Sequence, residues 1–180
     1  MKRDPLANAP EMIRRVYAYV AYRIGDGPDA EDVTSEAFER AVRYRESYDA
    51  SRGEPLGWLL GIARRCVDDA LRAPATGAAV PETASPQNLE SEAVERLTVA
   101  AAVARLDPRS QDLIALRYGA DLTARQIARV VGVKPNAVEV ALHRALARLR
   151  PDLEREYVQH PDAAGEHAPG TRPSVSPSGK

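Results

Sequence analysis

Pro74, Pro81 and Pro86 fall within a stretch from Ala73 to Asn88 that is otherwise mostly Ala, Thr, Gly and Ser. No continuous helix can cross it, because each proline lacks a donor and crowds the preceding turn. The chain must therefore fold on either side of this stretch. On both sides the apolar residues recur at helical spacing, so the expected fold is all-α: two small helical bundles joined by a flexible linker. The first bundle is placed at residues 10–73, the linker at 74–88, the second bundle at 89–157 and a disordered Pro-, Gly- and Ser-rich tail at 158–180. A chain of 180 residues that is 44% hydrophobic can supply two compact cores.

Ile13, Val16, Tyr17, Val20 and Ile24 follow Pro10 with helical period, and Gly25-Asp26-Gly27-Pro28 breaks the pattern. Pro28 opens a second helix with Ala30, Val33, Ala37, Phe38 and Ala41 as its apolar stripe. Its first turns carry Asp29, Glu31, Asp32 and Glu36, acids suited to the positive end of the helix dipole. A polar loop over residues 44–54 leads to a third helix whose stripe is Leu56, Leu59, Ile62, Ala63, Cys66, Val67 and Ala70. The single cysteine, Cys66, excludes an internal disulfide and a thiolate zinc cluster, and is expected as a buried, inert thiol.

In the second bundle a first helix runs to about Arg105, and Asp107-Pro108 is a cap followed by a first-turn proline. Tyr118-Gly119 ends the helix so begun. Thr123-Ala124-Arg125-Gln126 has the form of a capping box, Ile127, Ala128 and Val131 follow, and Gly132 supplies the left-handed residue that stops the helix. Pro135 starts a last helix, to about Leu149, without a good side-chain cap from Lys134.

A short helix, a tight turn through Gly132-Val133-Lys134 and a second helix have the spacing of a DNA-binding helix-turn-helix. Val138, Leu142, Ala145 and Leu149 fall on one side and can pack on Ile127, Val131 and Val133. That leaves Asn136, Glu139, Val140, His143 and Arg144 outward as candidates for base edges. The net charge of -1 does not announce nucleic acid, yet from Thr123 to Arg150 six basic residues face one acid. Arg125, Arg129, Lys134, Arg144 and Arg148 are therefore the candidates for phosphate contacts. On an ordinary helical hairpin the same residues would form only a solvated, charged face. No phosphate-binding glycine loop or metal-ligand spacing is present, and His143, His160 and His167 lie on the expected DNA face or in the tail. Neither catalysis, a metal, a cofactor nor a small-molecule substrate is expected. Met1 to Pro10 hold no apolar core of signal-peptide length and no eighteen uncharged apolar residues run together, so neither export nor membrane insertion is expected and the chain is placed in the cytoplasm.

The residues from Leu122 to Val133, with Val138 and His143-Arg144-Ala145-Leu146-Ala147-Arg148-Leu149-Arg150, resemble region 4 of bacterial sigma factors. Leu106-Asp107-Pro108-Arg109 and Leu116-Arg117-Tyr118 fit the same pattern. Asp29-Ala30-Glu31-Asp32-Val33 with Glu36, Ala37 and Phe38, then Trp58-Leu59, Ile62-Ala63-Arg64, Asp69 and Arg72, resemble region 2 of the extracytoplasmic-function (ECF) group. Two matches in the family's order, covering roughly Pro10 to Leu153, are more specific than either alone. The resemblance implies a specificity subunit of RNA polymerase, with core polymerase and promoter DNA as partners and an anti-sigma factor as a further candidate. It further implies that region 2 docks on core polymerase and captures bases of the melted minus-10 element, while region 4 binds the minus-35 element.

By this resemblance Asp29, Glu31, Asp32 and Glu36 are candidates for the polymerase contact, and an acidic patch does suit a basic partner surface. Unstacked bases need aromatic or cationic surfaces, and Tyr44, Arg45, Tyr48, Arg52 and Trp58 lie in or beside the loop before helix three. For Trp58 a core role is the alternative, since large aromatics beside Leu59 and Ile62 usually pack inward. Arg64, Arg65 and Arg72 share the polar side of helix three and are candidates for the DNA backbone. For the minus-35 element the candidates are Arg125, Arg129, Lys134, Asn136, Glu139, Val140, His143, Arg144 and Arg148. Glu139, where the family often has a base, can accept from a cytosine amino group or simply weaken phosphate affinity. Arg65 stands where asparagine is common. The alternative function is a DNA-binding transcriptional regulator that works without polymerase, its first bundle serving as a dimerisation or docking module.

Overall fold

The computed structural model describes residues 4–73 and 99–159. The expected linker, the start of the second bundle and nearly all of the tail lie outside the described residues. Helices α1 (Ala9–Ile24), α2 (Pro28–Arg43) and α3 (Pro55–Arg72) form the first bundle, each with a proline in its first turn, where the missing N–H has no partner to lose. A single 3₁₀ turn, Arg45–Ser47, lies in the loop between α2 and α3. Ala30, Val33, Ala37 and Ala41 of α2 are buried as the pattern demands, with Phe38 half-buried beside them. Cys66 is buried and free, and burial pushes its thiol up from its ordinary range.

In the second bundle a helical segment α4 at 99–104 buries Ala102 and Val103. Helix α5 (Pro108–Ile114) starts where Asp107 accepts from the Ser110 backbone N–H at 3.0 Å. It runs on into a π-turn, Ala115–Gly119, that ends at the expected Tyr118-Gly119. Helix α6 (Ala124–Val131) opens with the full Thr123–Gln126 capping box and closes at Gly132, whose φ of 74° and ψ of 34° are left-handed. Helix α7 (Pro135–Gln159) passes through Pro151 instead of stopping near Leu149. Leu149 is buried and Leu153 half-buried, so the apolar stripe that docks this helix continues beyond the proline and holds the extra turns in place.

Three expectations from the apolar pattern need correction. In α1 the buried face is Met12, Val16, Tyr19, Val20 and Arg23, whereas Ile13 is 46% exposed. In α3 Leu60 is buried and Ala70 exposed. α1 and α3 are each packed on two sides, by their own bundle and by the second one, which engages Tyr19 and Arg23 of α1, while Ala70 stands in the exposed last turn of α3. One buried apolar cluster runs through both bundles.

The contact between bundles is close, and polar ties accompany its apolar cluster. The α1 backbone lies directly on the π-turn, and a Cβ on Gly119 would stand 2.9 Å from the Ala18 carbonyl oxygen. Arg15 donates to the Ala120 and Asp121 carbonyls, both at 2.8 Å. Tyr19 donates its hydroxyl to Asp112 Oδ1 at 2.7 Å, and Arg23 donates to Gln111 Oε1 at 2.9 Å. From α3, Arg64 donates to Asp112 Oδ2, Nε at 2.9 Å and Nη2 at 2.7 Å.

Candidate nucleic-acid interface

Helices α6 and α7 meet across the turn at Gly132, where the Gly132 and Val133 N–H groups both donate to the Ala128 carbonyl, at 2.9 and 3.0 Å. This fixes the angle at which α7 leaves. Lys134 offers α7 only its carbonyl, accepting from Ala137 and Val138, as its lack of a capping oxygen requires. Val138, Leu142, Ala145 and Leu149 are buried together with Ile127. Asn136, Glu139, Val140, His143 and Arg144 are all exposed on the opposite side, Val140 by 42%. Arg125, Arg129 and Lys134 are exposed as well and carry no ion pair among the described residues. Arg148 is exposed and paired with Asp107 at 3.2 Å, an exposed pair of the kind that contributes at most about 1 kcal/mol.

A cleft of about 1010 Å³ opens between the α2–α3 loop and α6. Tyr48 and Trp58 stand on its wall with ring centroids 5.7 Å apart and planes tilted by 60°, and the Tyr48 hydroxyl donates to the Gly53 carbonyl at 3.0 Å. Trp58 thus does both things weighed for it: one part packs on the core and another faces the cleft. Arg52, Arg65 and Arg129 line the same cleft. So does Arg43, which was not singled out by sequence because it reads as the last turn of α2; its place immediately before Tyr44 was the available signal. Tyr44 is 53% exposed.

Arg64 does not stand on an open polar face. It is half-buried in the ion pair with Asp112, which α5 presents to it. Arg72 and Arg45 are exposed at its two ends of the bundle, beside Asp69 at 3.4 Å and Glu46 at 3.7 Å. Of the acidic patch, Asp29, Glu31 and Asp32 are exposed, whereas Glu36 is half-buried and paired with Arg40, which also reaches Asp69 at 3.1 Å. No group of His, Cys, Asp or Glu able to hold a metal occurs among the described residues.

Two family models match this chain in order: Sigma-70 region 2 over residues 11–75 and Sigma-70, region 4 over residues 96–149. The chain is 35% identical over 152 residues to the ECF RNA polymerase sigma factor BldN of Streptomyces coelicolor, covering 78% of itself and 58% of that relative. It is 31% identical over 185 residues to the ECF RNA polymerase sigma factor SigD of Mycobacterium tuberculosis, covering 92% of itself and 81% of SigD. Its fold is shared with the sigma factor RpoE solved in complex with the anti-sigma factor NepR from Bartonella quintana, with a TM-score of 0.60 and 16% identity over 79% of this chain and 92% of that one. It is shared too with CnrH in complex with the cytosolic domain of CnrY, with a TM-score of 0.59 and 21% identity over 82% and 83% of the two chains. The chain belongs to the ECF group of RNA polymerase sigma factors.

Proposed function

We propose that this chain binds core RNA polymerase and directs it to promoters, α6 and α7 engaging the minus-35 element and the first bundle engaging polymerase and the minus-10 element. The observation that carries this reading is the division of α7 between a buried Val138, Leu142, Ala145, Leu149 face and an exposed Asn136, Glu139, Val140, His143, Arg144 face, set by the turn at Gly132. A helix so docked can enter a major groove with its N-terminal residues at base edges while Arg125, Arg129, Lys134 and Arg148 neutralise phosphates. Tyr44, Tyr48 and Trp58, with Arg43, Arg52 and Arg65 on the same cleft, offer stacking faces and cations to a melted strand, while Arg45 and Arg72, outside that cleft, are left to the DNA backbone. Asp29, Glu31 and Asp32 offer polymerase an exposed acidic patch, to which Glu36 contributes less while Arg40 neutralises it.

Its work is recognition, with no catalytic step of its own, and takes place beside polymerase in the cytoplasm. No described helix is long and apolar enough to cross a membrane. An anti-sigma factor is a further proposed partner. The test is co-elution of the full chain with core polymerase on gel filtration. A complex is expected, and a chain that leaves core polymerase untouched yet footprints duplex DNA alone would indicate a polymerase-independent regulator instead.

A further inference from the structure

We propose that the cleft between the α2–α3 loop and α6 binds a free nucleoside di- or triphosphate, a ligand that the sigma-factor reading above does not call for. At about 1010 Å³ the cleft stands at the upper end of the range for small-molecule sites, about 300–1,000 Å³, and has room for one nucleotide with its water.

Five arginines line the cleft against two acids, Asp49 and Glu54. Glu54 accepts from Gln126 of α6 at 3.0 Å, and Arg40 is paired with Glu36 and Asp69. The other four, Arg43, Arg52, Arg65 and Arg129, carry no ion pair among the described residues. Four like charges around one cavity repel unless an anion lies among them, and a guanidinium fork matches phosphate oxygens two at a time. A base has its own surface there. Tyr48 and Trp58 stand 5.7 Å apart with planes tilted by 60°, and the Tyr48 ring is held by its hydroxyl on the Gly53 carbonyl, so the pair is set before a ligand arrives.

Between ring and cations lies a gap. Gly61 sits inside α3, where glycine is less favourable than alanine, yet a Cβ there would meet nothing within 4 Å. No neighbour in the protein requires the missing side chain, and its absence leaves the cleft open along the helix. Trp58, Gly61 and Arg65 follow at spacings of three and four, so a stacking ring, a gap and a cation succeed one another over about 10 Å of helix at a rise of about 1.5 Å per residue. That is the order of base, sugar and phosphates in a nucleotide. A melted DNA strand carries the same groups, but with one phosphate per base. Four unpaired cations beside the Tyr48–Trp58 pair match several phosphates on one base.

Trp58 is the single tryptophan of the chain, so its fluorescence reports on the cleft in the full protein, with no polymerase present. ATP is expected to quench it saturably with a Kd below about 1 mM, and adenosine and tripolyphosphate each to bind about tenfold or more weakly than ATP. Arg52→Ala and Arg129→Ala each remove one exposed cation, from the first and the second bundle respectively, and are expected to raise the Kd for ATP about tenfold. Gly61→Ala fills the gap. It is expected to raise the Kd by a similar factor while raising the Tm, a pair of effects that a damaged fold does not produce. A Kd for ATP above about 1 mM overturns the proposal. So does ATP binding that either Arg129→Ala or Gly61→Ala leaves unchanged, and so does quenching by a single-stranded oligonucleotide with which ATP does not compete. Because polymerase is absent, a chain that fails to bind core polymerase leaves this test unaffected.

Discussion

Tyr19 and Asp112 are hydrogen-bonded across the boundary of the two bundles at 2.7 Å, the hydroxyl on Oδ1 while Arg64 occupies Oδ2. Burial and the neighbouring carboxylate push the Tyr19 hydroxyl far above its ordinary range, so it is a donor at every pH at which the chain folds. Tyr19→Phe keeps the ring packed and leaves Oδ1 without its donor. It is expected to cost about 1–2 kcal/mol in urea unfolding of the full chain. A loss below about 0.3 kcal/mol would mean that the bond contributes nothing.

Asp107 caps α5 with both Ser110 groups, the hydroxyl at 2.7 Å and the backbone N–H at 3.0 Å, and these hydrogen bonds, with Arg148 nearby, hold its carboxyl below the usual carboxylate range. A folded value below the unfolded one means that the contribution is complete above about pH 4 and is lost as pH falls through the lowered folded value. Asp107→Ala is expected to cost about 1 kcal/mol at neutral pH, and Asp107→Asn, which still caps, to cost less while removing this part of the acid sensitivity. Equal acid sensitivity in Asp107→Asn and parent melting curves would contradict the assignment.

Gly132 has open space where a Cβ would point, so a side chain there meets only the backbone cost of its φ of 74°. Gly132→Ala should destabilise by about 1–2 kcal/mol and Gly132→Asn by less, since Asn visits that conformation more readily. Thermal unfolding of the two variants checks the order; the reverse order would show that the turn is held by contacts rather than by conformational preference.

Glu139 and Lys134 are both exposed at the start of α7, yet should act differently on DNA. Lys134→Ala is expected to weaken binding of the polymerase complex to all promoters alike and to reduce the slope of log affinity against log salt by about 0.9. Glu139→Ala should relax the preference at one base pair, by about 1–3 kcal/mol, with other positions unchanged. An equal gain at every sequence would leave Glu139 only a repulsive part.

Local signals carried much of this architecture. The Thr123–Gln126 box, the Asp107 cap and the left-handed Gly132 each need only neighbouring residues, and the outward face of α7 follows from its own period. What one helix cannot disclose is a second partner. Tyr19 and Arg23 look like polar interruptions of α1 until Asp112 and Gln111 are placed opposite them, and Ile13 is left outside because the helix turns toward both bundles at once. Arg64 looks like a DNA contact for the same reason. Gly119 reads as a helix terminator, although it also leaves room for the Ala18 carbonyl. The reach of α7 beyond Pro151 depends on Leu153 finding apolar cover, which a proline rule does not weigh.

The claim that α7 reads promoter DNA while the first bundle secures polymerase is tested most directly by runoff transcription, with core polymerase and promoters selected by the complex itself. Addition of the full chain should produce transcripts from a fixed start, and Asn136→Ala with Arg144→Ala should abolish the dependence on the upstream element while leaving the chain bound to polymerase. Transcripts that ignore the chain, or a double variant that reads the upstream element as well as the parent, would contradict it.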